Sequence, residues 1–431
     1  MHALKHSFQF GHHRALLIIA SLLCTQVSIQ TSAAAGPDQA KSKAAINQLQ
    51  QYLKLAASER TSLDKESFSQ VALTREDAKT AQQLLWKSYL QYLKQSRKQE
   101  MTDRKIKHGN LEMPFFYTKF GNKPATGRSM YISMHGGGGA PKQVNDQQWE
   151  NQKRLYRLPE GVYVVPRAPT NTWNLWHQGH IDPMFQRLIQ NLIAFEDVDP
   201  NRVYIMGYSA GGDGTYQLAP RMADRLAAAA MMAGHPNEAS PLGLRNIGFT
   251  IHMGGKDAAY NRNKVAAAWG TQLANLQKED PGGYRHLVKI YPNKGHWMDR
   301  EDAVAIPWMA KFRRNPFPNR VVWRQDDVTH NRFYWLAVDD DNKRKGSVVE
   351  ASVKKQQIEI KKLEGIEQLI LRVNDQLVDL DQPITVTFKG QQLFQGTLQR
   401  TVAMVSKTLV ERGDPASIFS AEVTVSTAAN P

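Results

Sequence analysis

The spacing of apolar residues divides most of the chain into three regions. From residue 111 to 315, short apolar runs alternate with stretches of helical spacing, which is typical of strands connected by helices. Strands are predicted at 115–117, 129–134, 161–165, 202–206, 228–234, 247–252 and 286–291. Helices are predicted at 185–194 and 214–225. This order predicts an α/β fold with a doubly wound, mostly parallel sheet.

The region before this sheet is predicted to be helical. Apolar residues between 39 and 107 recur at helical spacing, and Thr74, with Asp77 three residues later, forms a capping box at a helix start. Residues 36–110 are therefore predicted to form a helical N-terminal region. Two interpretations remain open, namely a helical hairpin packed on the central region and a lid or self-inhibiting prosegment.

The pattern changes to a period of two residues after position 316. Short alternating runs occur at 333–338, 348–353, 357–360, 368–373, 384–388 and 419–425. Such alternation, with polar turns between the runs, predicts a small antiparallel β domain of sandwich type at 316–431. Its role is left open between contact with a polymeric substrate and a stabilising or dimerising function.

The first 35 residues have the pattern of an export signal. Lys5 and Arg14 precede an apolar run at 15–24, and small residues suited to cleavage follow at 31–35. The apolar run is too short to span a bilayer comfortably, so no integral membrane segment is expected in the mature chain. We therefore expect an exported protein, periplasmic or extracellular. Cys24 is the only cysteine, so the mature chain is expected to lack disulfides and thiol chemistry.

Composition and charge narrow the class of protein. Of the 431 residues, 41% are hydrophobic and 22% are charged, which is ordinary for a globular protein and excludes a disordered chain or a membrane bundle. The formal net charge of +15 could draw the protein to anionic surfaces. No nucleic-acid-binding motif accompanies this charge, so nucleic acid is not a predicted partner. The oligomeric state is not predicted.

A Gly-x-Ser-x-Gly motif at 207–211 joins the predicted strand at 202–206 to the following helix. A serine at the tip of such a tight turn needs small residues two positions away on either side, because larger side chains would collide there. The turn lifts the hydroxyl of Ser209 out of the backbone and towards a base. Ser209 is therefore the predicted nucleophile.

Four consecutive glycines follow His135 at the end of another predicted strand. A glycine run is entropically costly, and here it suits close approach of the backbone to a ligand. The N–H groups of Gly136, Gly137 and Gly138, together with that of Ala210, are predicted to form an oxyanion hole.

Asp257 and His296 follow two further predicted strands, downstream of the serine. This order of serine, acid and histidine is the one expected for the strand-turn-helix motif, so His296 is the predicted general base and Asp257 the carboxylate that orients it. Asp299 and Asp302 are weaker candidates for the acid because they follow the histidine.

A loop rich in tryptophan and histidine follows the strand at 161–165. Ligands of open α/β sheets bind outside the carboxyl ends of the strands, where this loop should lie. The predicted substrate-binding residues are Trp173, Trp176, His177 and His180 of this loop, together with His135, Tyr208 and Trp297. Spacing alone does not make His177, His180 and Asp182 a metal site, so no metal and no cofactor are predicted.

These motifs in this order resemble the α/β-hydrolase superfamily. Residues 128–311 resemble secreted bacterial esterases of the feruloyl/acetylxylan esterase and polyhydroxybutyrate depolymerase type. The resemblance implies Ser209 as nucleophile, His296 as base and Asp257 as its orienting acid. Two departures are clear: many such depolymerases are disulfide-stapled whereas this mature chain has no cysteine, and the N-terminal and C-terminal regions fall outside the resemblance.

The sequence therefore predicts an exported serine hydrolase that cleaves carboxylic esters through an acyl-enzyme. Esters linked to polysaccharide or another polymer are candidate substrates by the resemblance alone. Two alternatives remain open. One is a serine peptidase of the prolyl-oligopeptidase type, although some seventy mostly helical residues cannot build the β-propeller such enzymes usually carry. The other is a non-catalytic envelope- or polysaccharide-binding protein on a hydrolase scaffold.

Overall fold

An eight-stranded sheet lies at the centre of the computed structural model, which describes residues 36–56 and 59–426. The order of its strands is β1-β2-β4-β3-β5-β6-β7-β8. The strands are β1 (Lys105–His108), β2 (Leu111–Phe120), β3 (Arg128–Met134), β4 (Gly161–Pro166), β5 (Val198–Tyr208), β6 (Ala228–Met232), β7 (Gly248–Gly254) and β8 (His286–Tyr291). The pairs β1–β2 and β2–β4 are antiparallel, and all pairs from β4 to β8 are parallel. The predicted α/β fold with a mostly parallel sheet is confirmed.

The predicted signal peptide, with Cys24, lies outside the described residues. Within the described part of the chain, no helix combines the length and the apolar character needed to cross a bilayer.

Helices pack on the sheet, and further helices precede and follow its strands in the sequence. The α-helices of the described residues are α1 (Gln39–Lys54), α2 (Arg75–Ser96), α3 (Lys98–Asp103), α4 (Lys142–Leu155), α5 (Ile181–Glu196), α6 (Ala210–Arg221), α7 (Arg262–Glu279), α8 (Ala305–Met309) and α9 (Val402–Arg412). Short 3-10 helices occur at Leu63–Lys65, Ser67–Gln70, Ala223–Arg225, Pro241–Asn246, Ala259–Asn261, Glu301–Val304 and Asp340–Asn342.

The central strands are buried on both faces. Every residue of β4, β6 and β7 is buried, which explains their continuous apolar character in the sequence. The small side chains of β6 let α6 approach closely: a Cβ added at Gly212 would clash with the Met232 carbonyl oxygen. This close packing fixes the position at which α6 begins, immediately after Ser209.

The N-terminal helices pack against the C-terminal part of the chain. Thr74 caps α2 by accepting a hydrogen bond from the Asp77 N–H at 3.1 Å, as the capping box predicts. An apolar cluster joins α1 and α2 to α9, and it includes Leu49, Leu85 and Leu409. The helical segment therefore shares a core with residues more than 300 positions later.

Two further sheets follow the central one in sequence. Their strands are β9 (Arg320–Arg324), β10 (Arg332–Phe333), β11 (Leu336–Ala337), β12 (Val348–Lys354), β13 (Gln357–Glu364), β14 (Gln368–Val373), β15 (Ile384–Phe388), β16 (Gln391–Gly396) and β17 (Ala421–Ser426). One sheet has the order β10-β11-β14-β17 and the other β16-β15-β13-β12-β9. The predicted antiparallel β structure is confirmed, except that β13 and β15 pair in parallel. The helix α9 was not predicted from the sequence.

A buried charge cluster joins these sheets to the central region. The carboxylate of Asp414, which is fully buried, pairs with Arg225 at 3.1 Å and with Arg314 at 2.7 Å. Arg412 pairs with Asp224 at 2.6 Å. Breaking a buried pair by removing one partner is strongly destabilising because it leaves an uncompensated charge. Ion pairs as well as apolar contacts therefore join the C-terminal sheets to the central region.

Candidate active site

Ser209 lies at the tip of the turn between β5 and α6. Its backbone has φ 58° and ψ −121°, a strained conformation for a residue with a Cβ. A Cβ at Gly207 would clash with the carbonyl oxygen of Gly211, and one at Gly211 would clash with that of Met134. Both glycines of the motif are therefore required by the geometry that raises the serine hydroxyl.

His296 connects Ser209 to Asp257 through two hydrogen bonds. The Nε2 atom of His296 lies 2.9 Å from the Ser209 Oγ, and its Nδ1 atom lies 2.7 Å from the Asp257 Oδ2. The Asp257 side chain is 3% exposed, whereas that of His296 is 44% exposed. A proton held on Nδ1 by the carboxylate leaves the Nε2 lone pair free to accept the serine proton. The structure thus brings the three predicted catalytic residues together.

The weaker candidate acids have other partners. Asp299 pairs with Lys294 at 2.7 Å. Asp302 is buried and accepts a hydrogen bond from the Tyr156 hydroxyl, and burial raises the pKa of this carboxyl. Neither carboxylate contacts His296, so Asp257 is the acid that the geometry supports.

Tyr208 holds the loop that carries the histidine. Its hydroxyl donates to the His296 carbonyl oxygen at 2.7 Å and accepts from the Met298 N–H at 2.9 Å. Burial raises the pKa of Tyr208, which keeps the phenol protonated and able to donate. Tyr208 was predicted to bind substrate, but its hydroxyl is taken up by these backbone contacts. The structure places it as a positioning residue.

The glycine run after β3 lies against the nucleophile. A Cβ added at Gly136 would come within 3.2 Å of the Ser209 Cβ, and Gly137 has φ 103°, which favours glycine. The N–H of Ala210 is in the first turn of α6 and has no acceptor within the helix. Gly137 and Ala210 line the cavity beside Ser209, where their N–H groups can meet a developing oxyanion.

The side chain of Asn145 accepts a hydrogen bond from one of the predicted oxyanion donors. Its Oδ1 accepts the Gly138 N–H at 2.8 Å, and its Nδ2 donates to the Ala140 carbonyl oxygen at 2.9 Å. The prediction for Gly138 is therefore corrected, because its N–H is already committed. Asn145 therefore holds the loop in place through hydrogen bonds to Gly138 and Ala140. This role was not predicted from the sequence.

Ser209, the predicted nucleophile, opens into a cavity of about 540 Å³. Besides Ser209, Ala210 and the glycine run, its wall includes Trp173, Asp213, His235, Asn237, Tyr260 and Arg262. A larger cavity, of about 700 Å³, lies between Leu63 and Met404 and contains none of the predicted site residues. The smaller cavity is the one suited to a substrate because it contains the nucleophile.

The comparisons with known proteins agree with this geometry. A model of the dienelactone hydrolase family matches residues 166–306, a stretch that contains Ser209, Asp257 and His296. The fold is that of the α/β hydrolases. Poly(3-hydroxyalkanoate) depolymerase C of Paucimonas lemoignei is 31% identical over 122 residues, which are 28% of this chain and 26% of that protein. The chain thus spans about a quarter of the length of this relative.

Solved structures with similarity to this chain include a thermostable esterase and a feruloyl esterase module from Clostridium thermocellum. The first is 19% identical with a TM-score of 0.39, and the match covers 49% of this chain and 62% of that chain. The second is 15% identical with a TM-score of 0.35, and the match covers 48% of this chain and 86% of that chain.

Of the substrate-binding residues predicted in the tryptophan- and histidine-rich loop, only Trp173 lines the cavity. Trp173 is 62% exposed and lines the cavity, and the ring of His177 meets it edge-on with centroids 5.5 Å apart. His177 itself is buried, which lowers its pKa to about 4 and keeps it neutral near pH 7. His180 lies at the N-terminal cap of α5, and Trp297 packs on Tyr208; neither lines the cavity.

Two predicted substrate-binding residues lie in the interior of the hydrolase. His135 and Trp176 are both 0% exposed. The indole N–H of Trp176 donates to the His135 carbonyl oxygen at 3.0 Å, and the His135 Nε2 accepts from the Ala168 N–H at 3.1 Å. Burial lowers the pKa of His135 to about 3. These residues support the glycine run from within, so the prediction that they bind substrate is wrong.

Carboxylates that have metal-ligand chemistry are held in ion pairs. Asp182 is buried and forms a bidentate pair with Arg221, at 2.9 and 2.6 Å. Among the described residues, Asp375, Asp379 and Asp381 are close enough to share a cation, but Arg75 and Arg400 pair with them.

Proposed function

We propose that this hydrolase cleaves carboxylic esters through a covalent acyl-enzyme on Ser209. The observation that carries the proposal is the unbroken hydrogen-bonded chain from Asp257 through His296 to Ser209. The family match over residues 166–306 supports the same reaction class. Neither a metal nor an organic cofactor is needed for this chemistry.

In the first half-reaction, the Nε2 of His296 takes the hydroxyl proton as the Ser209 Oγ attacks the ester carbonyl carbon. The carbonyl oxygen becomes an oxyanion beside the N–H groups of Gly137 and Ala210. Asp257 stabilises the imidazolium without taking its proton. The C–O bond to the alcohol then breaks, and the alcohol leaves with the proton from Nε2.

In the second half-reaction, water replaces the alcohol. His296 removes a proton from the attacking water, and the hydroxide oxygen bonds to the acyl carbon. The tetrahedral intermediate collapses, the bond to the Ser209 Oγ breaks, and Nε2 returns the proton to that oxygen. The product is the free carboxylic acid, and the enzyme regains its starting state.

Export and polymer-linked substrates are the finer part of the proposal. The pattern of residues 1–35 supports export to the periplasm or beyond. A relative whose name describes a polyester depolymerase supports a polymeric ester. An intact mass that lacks about 35 N-terminal residues would support export, whereas a full-length mass in a purified extracellular fraction would contradict cleavage at this site.

The nucleophile is tested by mass spectrometry after exposure to a fluorophosphonate. We expect a single adduct on Ser209 that is lost in Ser209→Ala and retained in Ser62→Ala, whose serine is exposed and distant in sequence. Turnover of 4-nitrophenyl esters should follow the same order among the variants. An unlabelled Ser209 with no ester turnover would overturn the proposal and favour the non-catalytic binding protein.

A matched ester and amide distinguish the proposed esterase from the alternative, a serine peptidase. With 4-nitrophenyl acetate and 4-nitroacetanilide, the acyl group is constant and only the bond to the leaving group differs. We expect measurable kcat/KM on the ester and none on the anilide. Faster cleavage of peptide amides than of esters would transfer the proposal to a serine peptidase.

A further inference from the structure

Two charged side chains of the catalytic cavity take no part in the proton transfers described above. Asp213 lies one turn after Ser209 on α6, and Arg262 is the first residue of α7. Both line the cavity that contains the Ser209 hydroxyl. Polar groups that line a binding site help to fix the identity of a ligand because leaving them unpaired is costly.

The carboxylate of Asp213 retains free hydrogen-bonding capacity. Its Oδ1 accepts the His235 N–H at 2.6 Å, and no side chain of the described residues donates to it. The first turn of a helix favours a negative charge there, while burial acts against it and raises the pKa of Asp213 to about 6. Near neutral pH the group is therefore an acceptor that faces the cavity.

The guanidinium of Arg262 is the matching donor. Its side chain is only 15% exposed, and its nearest carboxylate oxygen is the Asp257 Oδ1, 3.6 Å from Nη1, which is too long for a good hydrogen bond. Within the described part of the chain, its Nε has no hydrogen-bond partner. The guanidinium carbon lies 4.8 Å from the ring centroid of Tyr260, which holds the group in place.

The two charges face the same cavity without neutralising each other, since no ion pair within 4.0 Å joins Asp213 and Arg262. A ligand carboxylate would pair with Arg262 but would face the carboxylate of Asp213. A ligand ammonium would pair with Asp213 but would face Arg262. A hydroxyl group can donate to Asp213 and accept from Arg262, so an uncharged hydroxylated group satisfies both.

Resting on the proposed ester hydrolysis, we infer that the cavity selects esters carrying an uncharged, hydroxylated group, with Asp213 and Arg262 as specificity-determining residues. The group is a hydroxyacyl chain or a polyol such as a sugar, because each offers a hydroxyl near the ester bond. Trp173 and Tyr260 add aromatic surface to the same wall, which suits the apolar face of such a group.

Two matched substrate pairs test this inference on the wild-type protein. One compares 4-nitrophenyl 3-hydroxybutyrate with 4-nitrophenyl butyrate, and the other compares 2,3-dihydroxypropyl butyrate with propyl butyrate. We expect kcat/KM to favour the hydroxylated member of at least one pair by about tenfold, the effect of one hydrogen bond to a charged group. Equal kcat/KM within both pairs would overturn the inference while leaving the ester hydrolase in place.

Variants of Asp213 and Arg262 test whether these residues cause the preference for hydroxylated esters. Asp213→Asn and Arg262→Gln should each lower the hydroxylated-to-plain ratio by about tenfold. The matched controls Asp341→Asn and Arg324→Gln change exposed residues of the same types and should keep the wild-type ratio. Fluorophosphonate labelling of Ser209 in every variant reports an intact site, so a changed ratio cannot be mistaken for misfolding. A wild-type ratio in both cavity variants would overturn their assignment.

A third substrate pair addresses the charged alternative. It compares the 4-nitrophenyl ester of adipic acid, with its free carboxylate, and the corresponding carboxamide. We expect the carboxamide to be preferred, because the carboxylate meets the carboxylate of Asp213. A clear preference for the carboxylate would overturn the inference in favour of an anion site at Arg262. Absence of turnover on every ester would remove the proposed function and this inference with it.

Discussion

Asp257 is the residue that sets which ring nitrogen of His296, the proposed general base, carries the proton. Asp257→Asn keeps the shape of the side chain, but its amide can donate to Nδ1 and so leave the imidazole proton on Nε2. The histidine then cannot accept the serine proton, and we expect kcat on 4-nitrophenyl esters to fall by about 10³- to 10⁴-fold. The comparison variant is Asp299→Asn, since that carboxylate pairs with Lys294. A larger loss in Asp299→Asn than in Asp257→Asn would reverse the assignment.

Asp213 gives the folding equilibrium a measurable dependence on pH. Its pKa is raised to about 6 in the folded protein, so the folded state holds its proton more tightly than the unfolded state. The stability that this proton contributes is full below the unfolded pKa, near 4, and is lost as the pH rises through 6. Asp213→Asn, which cannot ionise, should therefore gain stability relative to wild type between pH 4 and 7, on the order of 2 kcal/mol.

Urea unfolding at pH 4, 5, 6 and 7 measures this difference, with Asp341→Asn as the exposed control. The control should run parallel to wild type across the range. A difference between wild type and Asp213→Asn that is flat with pH, or that grows towards acid, would contradict the raised pKa.

The sequence identifies those single residues whose chemistry is tied to a local pattern. Ser209 was recognisable because its turn requires glycines on both sides, and His296 and Asp257 because they follow strands in a fixed order. Tyr208, Asn145 and Asp213 have no such pattern. Their roles depend on backbone groups brought near by folding, such as the His296 carbonyl oxygen, 88 positions away from Tyr208. Conversely, His135 and Trp176 have side chains suited to a ligand, but folding buries both of them in the interior.

The glycine run is an element whose shape depends on a single side chain outside it. Asn145→Ala removes the acceptor of the Gly138 N–H and the donor to the Ala140 carbonyl oxygen. Without these contacts the loop gains conformations in which Gly137 no longer faces the oxyanion. We expect kcat to fall by about 10- to 100-fold with a smaller change in KM, because the lost contact matters most in the transition state.

Steady-state kinetics on 4-nitrophenyl butyrate measures this effect. Asn151→Ala, on the same helix as Asn145 and bonded only to the exposed Gln147, is the matched control and should retain wild-type kcat. A rise in KM alone for Asn145→Ala would mean that the residue shapes substrate binding and not the oxyanion hole.

Elements with strong periodicity were predictable, and those defined by long-range pairing were not. The strand β8 and the later strands β14 and β15 coincide with their predicted bounds, since apolar runs between turns define them locally. The parallel pairing of β13 with β15 depends on which strands meet, which no local pattern contains. The helix α9 was overlooked within a region of alternating residues, although Thr401 is a favourable N-cap whose side chain accepts from the Met404 N–H.

Stability of the whole molecule depends on the carboxylate of Asp414. Asp414→Ala leaves Arg225 and Arg314, whose side chains are 1% exposed, without a counter-charge. We expect the free energy of unfolding to fall by about 3–5 kcal/mol in urea titrations. In Asp340→Ala the lost pair with Lys343 is exposed, and the expected change is within about 0.5 kcal/mol. Equal effects of the two substitutions would mean that the buried cluster contributes no more than a surface pair.

The same cluster has a consequence for the order in which the chain is made. Synthesis proceeds from the first residue to the last, so the two arginines emerge long before residue 414. Until that residue is available, closing the core around them means enclosing two uncompensated cations. The nascent chain is therefore expected to stay open and sensitive to proteases until residue 414 has emerged.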